Sequence, residues 1–147
     1  MKPVTVSITA PTSRDEVYRF LDVLANHERF TDHMLVDWHY SGPPAGVGAR
    51  ARMRLKKPGR PDWMDLEVVS ANPPTGTTEE TVGAGGRRRT RGTYTLEELP
   101  AGGTRISFEF AWVQAPLVER LAAPITRAVM RRGNRTSLQR LAEQLGR

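Results

Sequence analysis

From Met34 to Val113 the chain alternates apolar with polar residues through one short segment after another. Successive side chains on a strand point to opposite faces, so each segment reads as a strand with one buried and one wetted face. Val36, Trp38 and Tyr40 alternate with Asp37 and His39. Ala51, Met53 and Leu55 alternate with Arg50, Arg52, Arg54 and Lys56. Met64, Leu66 and Val68 mark a further strand, and Tyr94 and Leu96 alternate with Thr93, Thr95 and Glu97. The clearest strand sets Ile106, Phe108, Phe110 and Trp112 against Arg105, Ser107, Glu109 and Ala111. Residues 76–82, rich in Thr and Glu, are weakly patterned and read as an edge-like strand. The breaks are turn clusters: Ser41-Gly42-Pro43-Pro44-Ala45-Gly46, Pro58-Gly59-Arg60-Pro61, Asn72-Pro73-Pro74, Gly83-Ala84-Gly85-Gly86 and Ala101-Gly102-Gly103. Connections this short join antiparallel neighbours.

A sheet of this kind has an apolar face that something must cover. Ahead of it, Val4, Val6 and Ile8 form a first strand that ends at Pro11. Ser13-Arg14-Asp15-Glu16 fits a capping box, and Val17, Phe20, Leu21 and Leu24 follow at helical spacing. Asn26 closes that helix, and a short helical turn is expected through Phe30. After Pro116 the period becomes helical again. Leu117, Leu121, Ile125, Ala128 and Val129 make one stripe; Leu138, Leu141, Ala142 and Leu145 make another, rotated by more than a quarter turn. Two accounts stand: a bend near Gly133-Asn134, with Pro124 adding a kink, or one long helix with Arg131 and Arg135 aimed inward. Only this C-terminal segment, roughly 115–145, is long enough to cover the sheet. The expected fold class is α+β, a curved antiparallel sheet of about seven strands around a long C-terminal helix, with two short helices after the first strand.

A length of 147 residues predicts a single domain over 1–147. Zero cysteines rule out disulfides, thiolate nucleophiles and Cys-ligated metal clusters. With no apolar run of about 20 residues and no signal-peptide stretch, the expected location is cytoplasmic. Formal net charge is +6, and residues 114–147 hold seven Arg against two Glu. Arg87-Arg88-Arg89-Thr90-Arg91 is a second basic knot. A basic balance favours anionic partners; the plainer reading is a solvated helix face and a hairpin tip.

The chain resembles the polyketide cyclase/dehydrase and lipid transport superfamily, also called START-like or SRPBCC, which has the helix-grip fold. The stretches that carry the likeness begin with Ala10-Pro11-Thr12-Ser13-Arg14-Asp15-Glu16-Val17-Tyr18 and Val47-Gly48-Ala49-Arg50. They continue through Asn72-Pro73-Pro74, Arg91-Gly92-Thr93-Tyr94-Thr95-Leu96 and Gly103-Thr104-Arg105-Ile106-Ser107-Phe108. Ala115-Pro116-Leu117-Val118-Glu119-Arg120-Leu121 and Leu138-Gln139-Arg140-Leu141 complete them. These are marks of a fold that span essentially the whole chain, not catalytic motifs. Many relatives carry Trp where this chain has Phe30. The resemblance implies a cavity for hydrophobic ligands such as lipids, sterols or polyketides, in a family of carriers, sensors, cyclases and aromatases.

Most catalytic constellations are absent. His27, His33 and His39 are spaced by six, which suits no familiar zinc pattern, and read as surface residues; no metal is expected. Gly83-Ala84-Gly85-Gly86 lacks the spacing and the helix of a dinucleotide site, and there is no G-x-S-x-G elbow or P-loop. No cofactor is expected. In Glu79-Glu80 neighbouring carboxylates point to opposite faces, so one of them can enter the cavity and serve as a general acid or base. The inward wall predicted for a ligand comprises Trp38, Tyr40, Met53, Leu55, Met64, Leu66, Tyr94, Phe108, Phe110 and Trp112, with Ile125 from the helix. Arg131 and Arg135 share a helix face and, if turned inward, need a carboxylate such as Glu80 or an anionic head group. The expected function is binding of a small hydrophobic, lipid- or polyketide-like molecule between sheet and helix. The alternatives are a cyclase/aromatase that folds a polyketide chain, and an Arg-rich module for an acidic partner. No specific nucleic acid and no membrane span are expected, and the chain is read as a monomer or homodimer.

Overall fold

The computed structural model describes residues 1–146. Seven strands form one antiparallel open sheet: β1 (Val4–Ala10), β2 (Leu35–Ser41), β3 (Arg50–Leu55), β4 (Trp63–Asn72), β5 (Gly76–Gly83), β6 (Arg88–Glu98) and β7 (Thr104–Gln114), in the order β1-β7-β6-β5-β4-β3-β2. Between β1 and β2 lie α1 (Arg14–Asp22), a 3-10 turn (Leu24–His27) and α2 (Glu28–Thr31). After β7 come α3 (Leu117–Leu121) and α4 (Ala123–Leu145). The α+β reading therefore holds. No helix among the described residues is long and apolar enough to cross a membrane.

Local chemistry explains the element ends. The Ser13 hydroxyl accepts the Glu16 amide at 3.3 Å at the start of α1. Asn26 closes that helix from a distance: its Nδ2 donates to the Phe20 carbonyl at 2.9 Å. Val17, Tyr18 and Leu21 are buried under α1.

Two expectations are corrected. The segment read as an edge strand, β5, is the centre of the sheet, with β4 and β6 paired to its two sides. Its polar composition reflects what each face meets, as described below. In β2, Asp37 has a φ of 57° and the register shifts between Val36 and His39. A bulge of this kind reverses the facing of residues beyond it. Leu35, opposite Leu55, therefore joins Tyr40, opposite Ala51, on the inner face, while Val36 sits opposite outward Arg54.

The C-terminal helix has its discontinuity at Ala122 (φ −100°, ψ 31°), not at Gly133-Asn134. Pro124 lies in the first turn of α4, where its missing N–H costs nothing, and so starts the helix instead of kinking it. Gly133 is helical, and its missing side chain leaves room for a close neighbour. A Cβ there would collide with Met34 Sδ. His33 Nε2 also donates to the Gly133 carbonyl at 2.9 Å. With the helix unbroken, only one of its two stripes can face the protein. Asn134, Ser137, Leu138 and Leu141 are buried, and α4 packs mainly on β1 and α2. The stripe of Leu117, Leu121, Ile125 and Val129 is turned out, each residue 60–77% exposed.

Candidate ligand site on the inner face of the sheet

The inner face carries two apolar clusters. One joins Val6, Tyr94, Leu96, Ile106 and Phe108 to α1 and to Leu138 and Leu141 of α4. The other joins Ala51, Met53, Met64, Leu66 and Val68 to Leu24. Between them runs β5, whose inward residues are polar. Thr77 is opposite Tyr94, Glu79 is opposite Gly92, and Thr81 is opposite Thr90. The strand that the sequence left weakly patterned thus divides the apolar wall in two.

Glu79 is the centre of this stripe. Its side chain is 14% exposed, and it makes no hydrogen bond with the described residues. Burial pushes its carboxyl up to about 7 from the ordinary 4.5. His27 Nδ1 lies 3.9 Å from Glu79 Oε2, too far for a hydrogen bond. His27 is 4% exposed, which corrects its reading as a surface residue. Its Nε2 is 2.7 Å from the Leu21 carbonyl and must donate to it. The neutral ring therefore turns the lone pair of Nδ1 toward Glu79. Burial, opposed by the bond to Leu21, keeps the imidazole below its usual value. Tyr94 stands edge-on to His27, with ring centres 5.7 Å apart. Burial and then the Glu79 charge push its phenol well up, so it remains a donor. Gly92 makes room for the group: a Cβ there would lie 2.7 Å from Phe108 Cζ and 3.2 Å from Glu79 Oε1. Its partner in the acidic pair, Glu80, points outward and binds Arg91 at 2.7 Å.

The predicted wall residues fall as follows. Met53, Met64, Leu66, Tyr94 and Phe108 are buried on the inner face. Trp38, Leu55, Phe110 and Trp112 are half-buried there, Phe110 and Trp112 meeting edge to face at 4.9 Å. Tyr40, on an edge strand, is 44% exposed; its hydroxyl donates to Glu28 at 2.7 Å. Burial and then this contact raise its phenol pKa far above the ordinary value. Ile125 is 69% exposed and does not face the sheet. The spacing that placed Arg131 and Arg135 inward was extrapolated across the break at Ala122. Arg131 is half-buried, Arg135 is exposed, and Asn134 takes the inward position, its buried Nδ2 without a partner. Glu80 binds Arg91 on the outer face and meets neither arginine.

Arg88 departs from the solvated-knot reading. It donates to Asp62 at 2.8 Å and to both oxygens of Glu119, tying α3 to the β3–β4 loop and the β5–β6 turn. Burial alone would raise the Asp62 carboxyl. The bonds from Arg88 and the Ala84 amide, with the Arg88 and Lys57 charges, hold it below its ordinary value instead.

Open clefts lie elsewhere. One of about 560 Å³ runs over the outer face among ion pairs such as Arg50–Glu67 at 2.5 Å and Arg52–Asp65 at 3.1 Å. Another, about 340 Å³, separates Tyr18 and Arg19 of α1 from Pro73-Pro74. Neither borders the polar stripe.

An open antiparallel sheet, short helices after its first strand and a long C-terminal helix on its inner side define a helix-grip protein. The chain belongs to the polyketide cyclase / dehydrase and lipid transport family, whose model matches residues 1–146. It is similar in fold to TTHA0849 from Thermus thermophilus, with a TM-score of 0.75 and 18% identity over 98% of this chain and 97% of that one. It is similar to the KanY protein (ms6282), with a TM-score of 0.78 and 13% identity over 99% and 98%. DynU16, a protein in the dynemicin biosynthetic locus, gives a TM-score of 0.68 and 21% identity over 99% of this chain; the match spans 48% of DynU16. No curated protein matches the chain.

Proposed function

We propose that the chain binds a small, largely apolar molecule against the inner face of the sheet, with the ligand's polar group at Glu79. The observation that carries this reading is a largely buried carboxyl, with no hydrogen bond to the described residues, between two apolar clusters. A protein gains nothing in stability from such a group, since an ionised carboxyl out of water is costly unless paired. A ligand hydroxyl or amine would supply the missing partner. The apolar walls would take its hydrocarbon part, Tyr and Trp adding polar edges and Met53 and Met64 an adaptable surface. Arg131, half-buried one turn before Asn134 on α4, is proposed to meet an anionic head group where the ligand has one. The test is native mass spectrometry of the purified protein for retained ligand, followed by titration with an environment-sensitive dye. Phe110→Ala weakens dye binding, and a chemically matched amide, Glu79→Gln, changes the preference between alcohol and hydrocarbon ligands. Unchanged affinity and preference in both variants count against the site.

The second reading, a cyclase or dehydratase, is favoured by the Glu79–His27 pair. A carboxyl near 7 exchanges protons readily at neutral pH, and the His27 imidazole stands beside it, with Nδ1 3.9 Å from Oε2. In this reading Glu79 removes a proton from carbon activated by a neighbouring carbonyl while the apolar walls hold the chain folded. Glu79→Gln would then retain binding and lose turnover of a poly-β-ketone analogue. Equal turnover by the variant removes this reading and leaves the binder.

A further inference from the structure

The outward stripe has no role in either reading. Leu117, Val118, Leu121, Ile125 and Val129 are 60–77% exposed, on α3 and the first half of α4. They lie on both sides of the break at Ala122, three on α3 and two on the first turns of α4. Monomeric proteins rarely leave this many large apolar side chains exposed on two consecutive helices. Within α4 the exposed face changes character along its length. Ile125, Ala128 and Val129 give way, on the same side, to Arg132 and Arg135, both exposed. Arg120 is exposed at the other end. The only acidic residue between positions 114 and 142 is Glu119, and Arg88 holds both of its oxygens.

We propose that this face docks on an anionic lipid surface. Leu121, Ile125 and Val129 enter the boundary between head groups and acyl chains, and Arg132 and Arg135 meet the phosphates. An apolar stripe flanked by arginines, lying in the plane of the interface, is the pattern of a surface-bound helix. Charge argues against the two other occupants. In a two-fold dimer the same patch meets itself, which would bring the arginines of both copies together with no free carboxylate between them. The stripe is also wholly aliphatic, without the aromatic anchors that dominate protein interfaces. The proposal stands independently of what the inner face binds.

The test is co-sedimentation with vesicles of phosphatidylcholine alone and of phosphatidylcholine and phosphatidylglycerol in equal parts. The wild type partitions onto the mixed vesicles, and added salt releases it. Ile125→Glu abolishes partitioning, and the charge reversal Arg132→Glu with Arg135→Glu lowers it by about tenfold or more. Light scattering of the lipid-free protein gives the second arm. No wild-type partitioning, equal partitioning on the two vesicle types, or variants that bind as the wild type does would each overturn the proposal. A dimer that Ile125→Glu dissociates overturns it too, since the occupant is then a second copy. Should Ile125→Glu fail to fold, the arginine variant and the lipid-charge dependence of the wild type decide the matter.

Discussion

Replacing Glu79 by Gln tests the polar centre through stability alone, without knowledge of any ligand. The amide keeps the shape of the side chain and cannot ionise. In the folded protein the carboxyl titrates near 7, and in the unfolded chain near the ordinary 4.5. Between these values the folded state binds more protons than the unfolded state, so stability must fall as pH rises through that window. The cost is fully expressed above about pH 7 and absent below about pH 4.5. A displacement of this size corresponds to about 3 kcal/mol. For a domain near 150 residues each kcal/mol moves the melting temperature by about 2–4 °C, so the expected effect is about 6–12 °C. His27 works in the opposite sense. Its folded-state value is lowered, so it contributes stability at higher pH that is lost as pH falls below its unfolded value. That contribution is largely common to wild type and variant and cancels in their difference. The assay is thermal unfolding of both proteins at several pH values. Glu79→Gln is expected to match the wild type near pH 4 and to exceed it by several degrees near pH 8. Parallel profiles across that range would refute the claim that Glu79 is a desolvated, unpaired carboxyl.

Three other outcomes follow from the packing. Gly92→Ala forces its Cβ against Phe108 and Glu79 and is expected to cost about 1–3 kcal/mol in a denaturant titration, with dye binding on the inner face also reduced. Arg88→Ala leaves Asp62 and Glu119 without their shared cation. For so largely buried a group the loss is about 2–4 kcal/mol, with proteolysis near α3 accelerated. The wild-type stabilisation from Asp62, whose folded value is depressed, is present above its unfolded value near 3.8 and is lost as pH falls below it. Arg88→Ala should therefore flatten the acid limb of the stability profile. Leu141→Ala, at a fully buried site, is expected to cost about 2–5 kcal/mol by chemical denaturation, whereas Ile125→Ala, mostly in water, stays within about 0.5 kcal/mol.

The strand run, the antiparallel order and the inward set from Met53 to Trp112 were legible because period two is a strong signal wherever one face is apolar. The same signal failed on β5. A central strand usually reads as apolar, and Thr77, Glu79 and Thr81 on the inner side removed that mark. The surface reading of His27 failed for a related reason. Its burial depends on the Leu21 carbonyl left free beyond the last turn of α1, and no side-chain pattern announces a carbonyl. The helix phase was misjudged because Ala122, an ordinary helix former, carries the break, while Gly133 and Pro124, ordinary breakers, do not interrupt α4. Met34 explains the glycine and first-turn geometry explains the proline; both are facts of packing and position, not of composition.

The division of α4 follows from these same constraints. Its C-terminal half supplies Leu138 and Leu141 to the core, and Met34 and His33 fix it at Gly133. Its N-terminal half contributes little to that core and is held by Arg127, which donates to the Lys2 and Pro3 carbonyls, and through α3 by the Arg88 ion pairs. Stability therefore resides mainly in one half of the helix, and the other half is free to carry an apolar outer face and to shield the inner one. A polar stripe on the central strand has the same logic. Continuous Leu or Val at 77, 79 and 81 would join the two clusters into one uninterrupted apolar core. Glu79 interrupts that apolar surface, and its burial costs folding energy whenever the carboxyl is ionised. Under the proposed reading, the one side chain that lowers stability at neutral pH is also the one a ligand's polar group would meet.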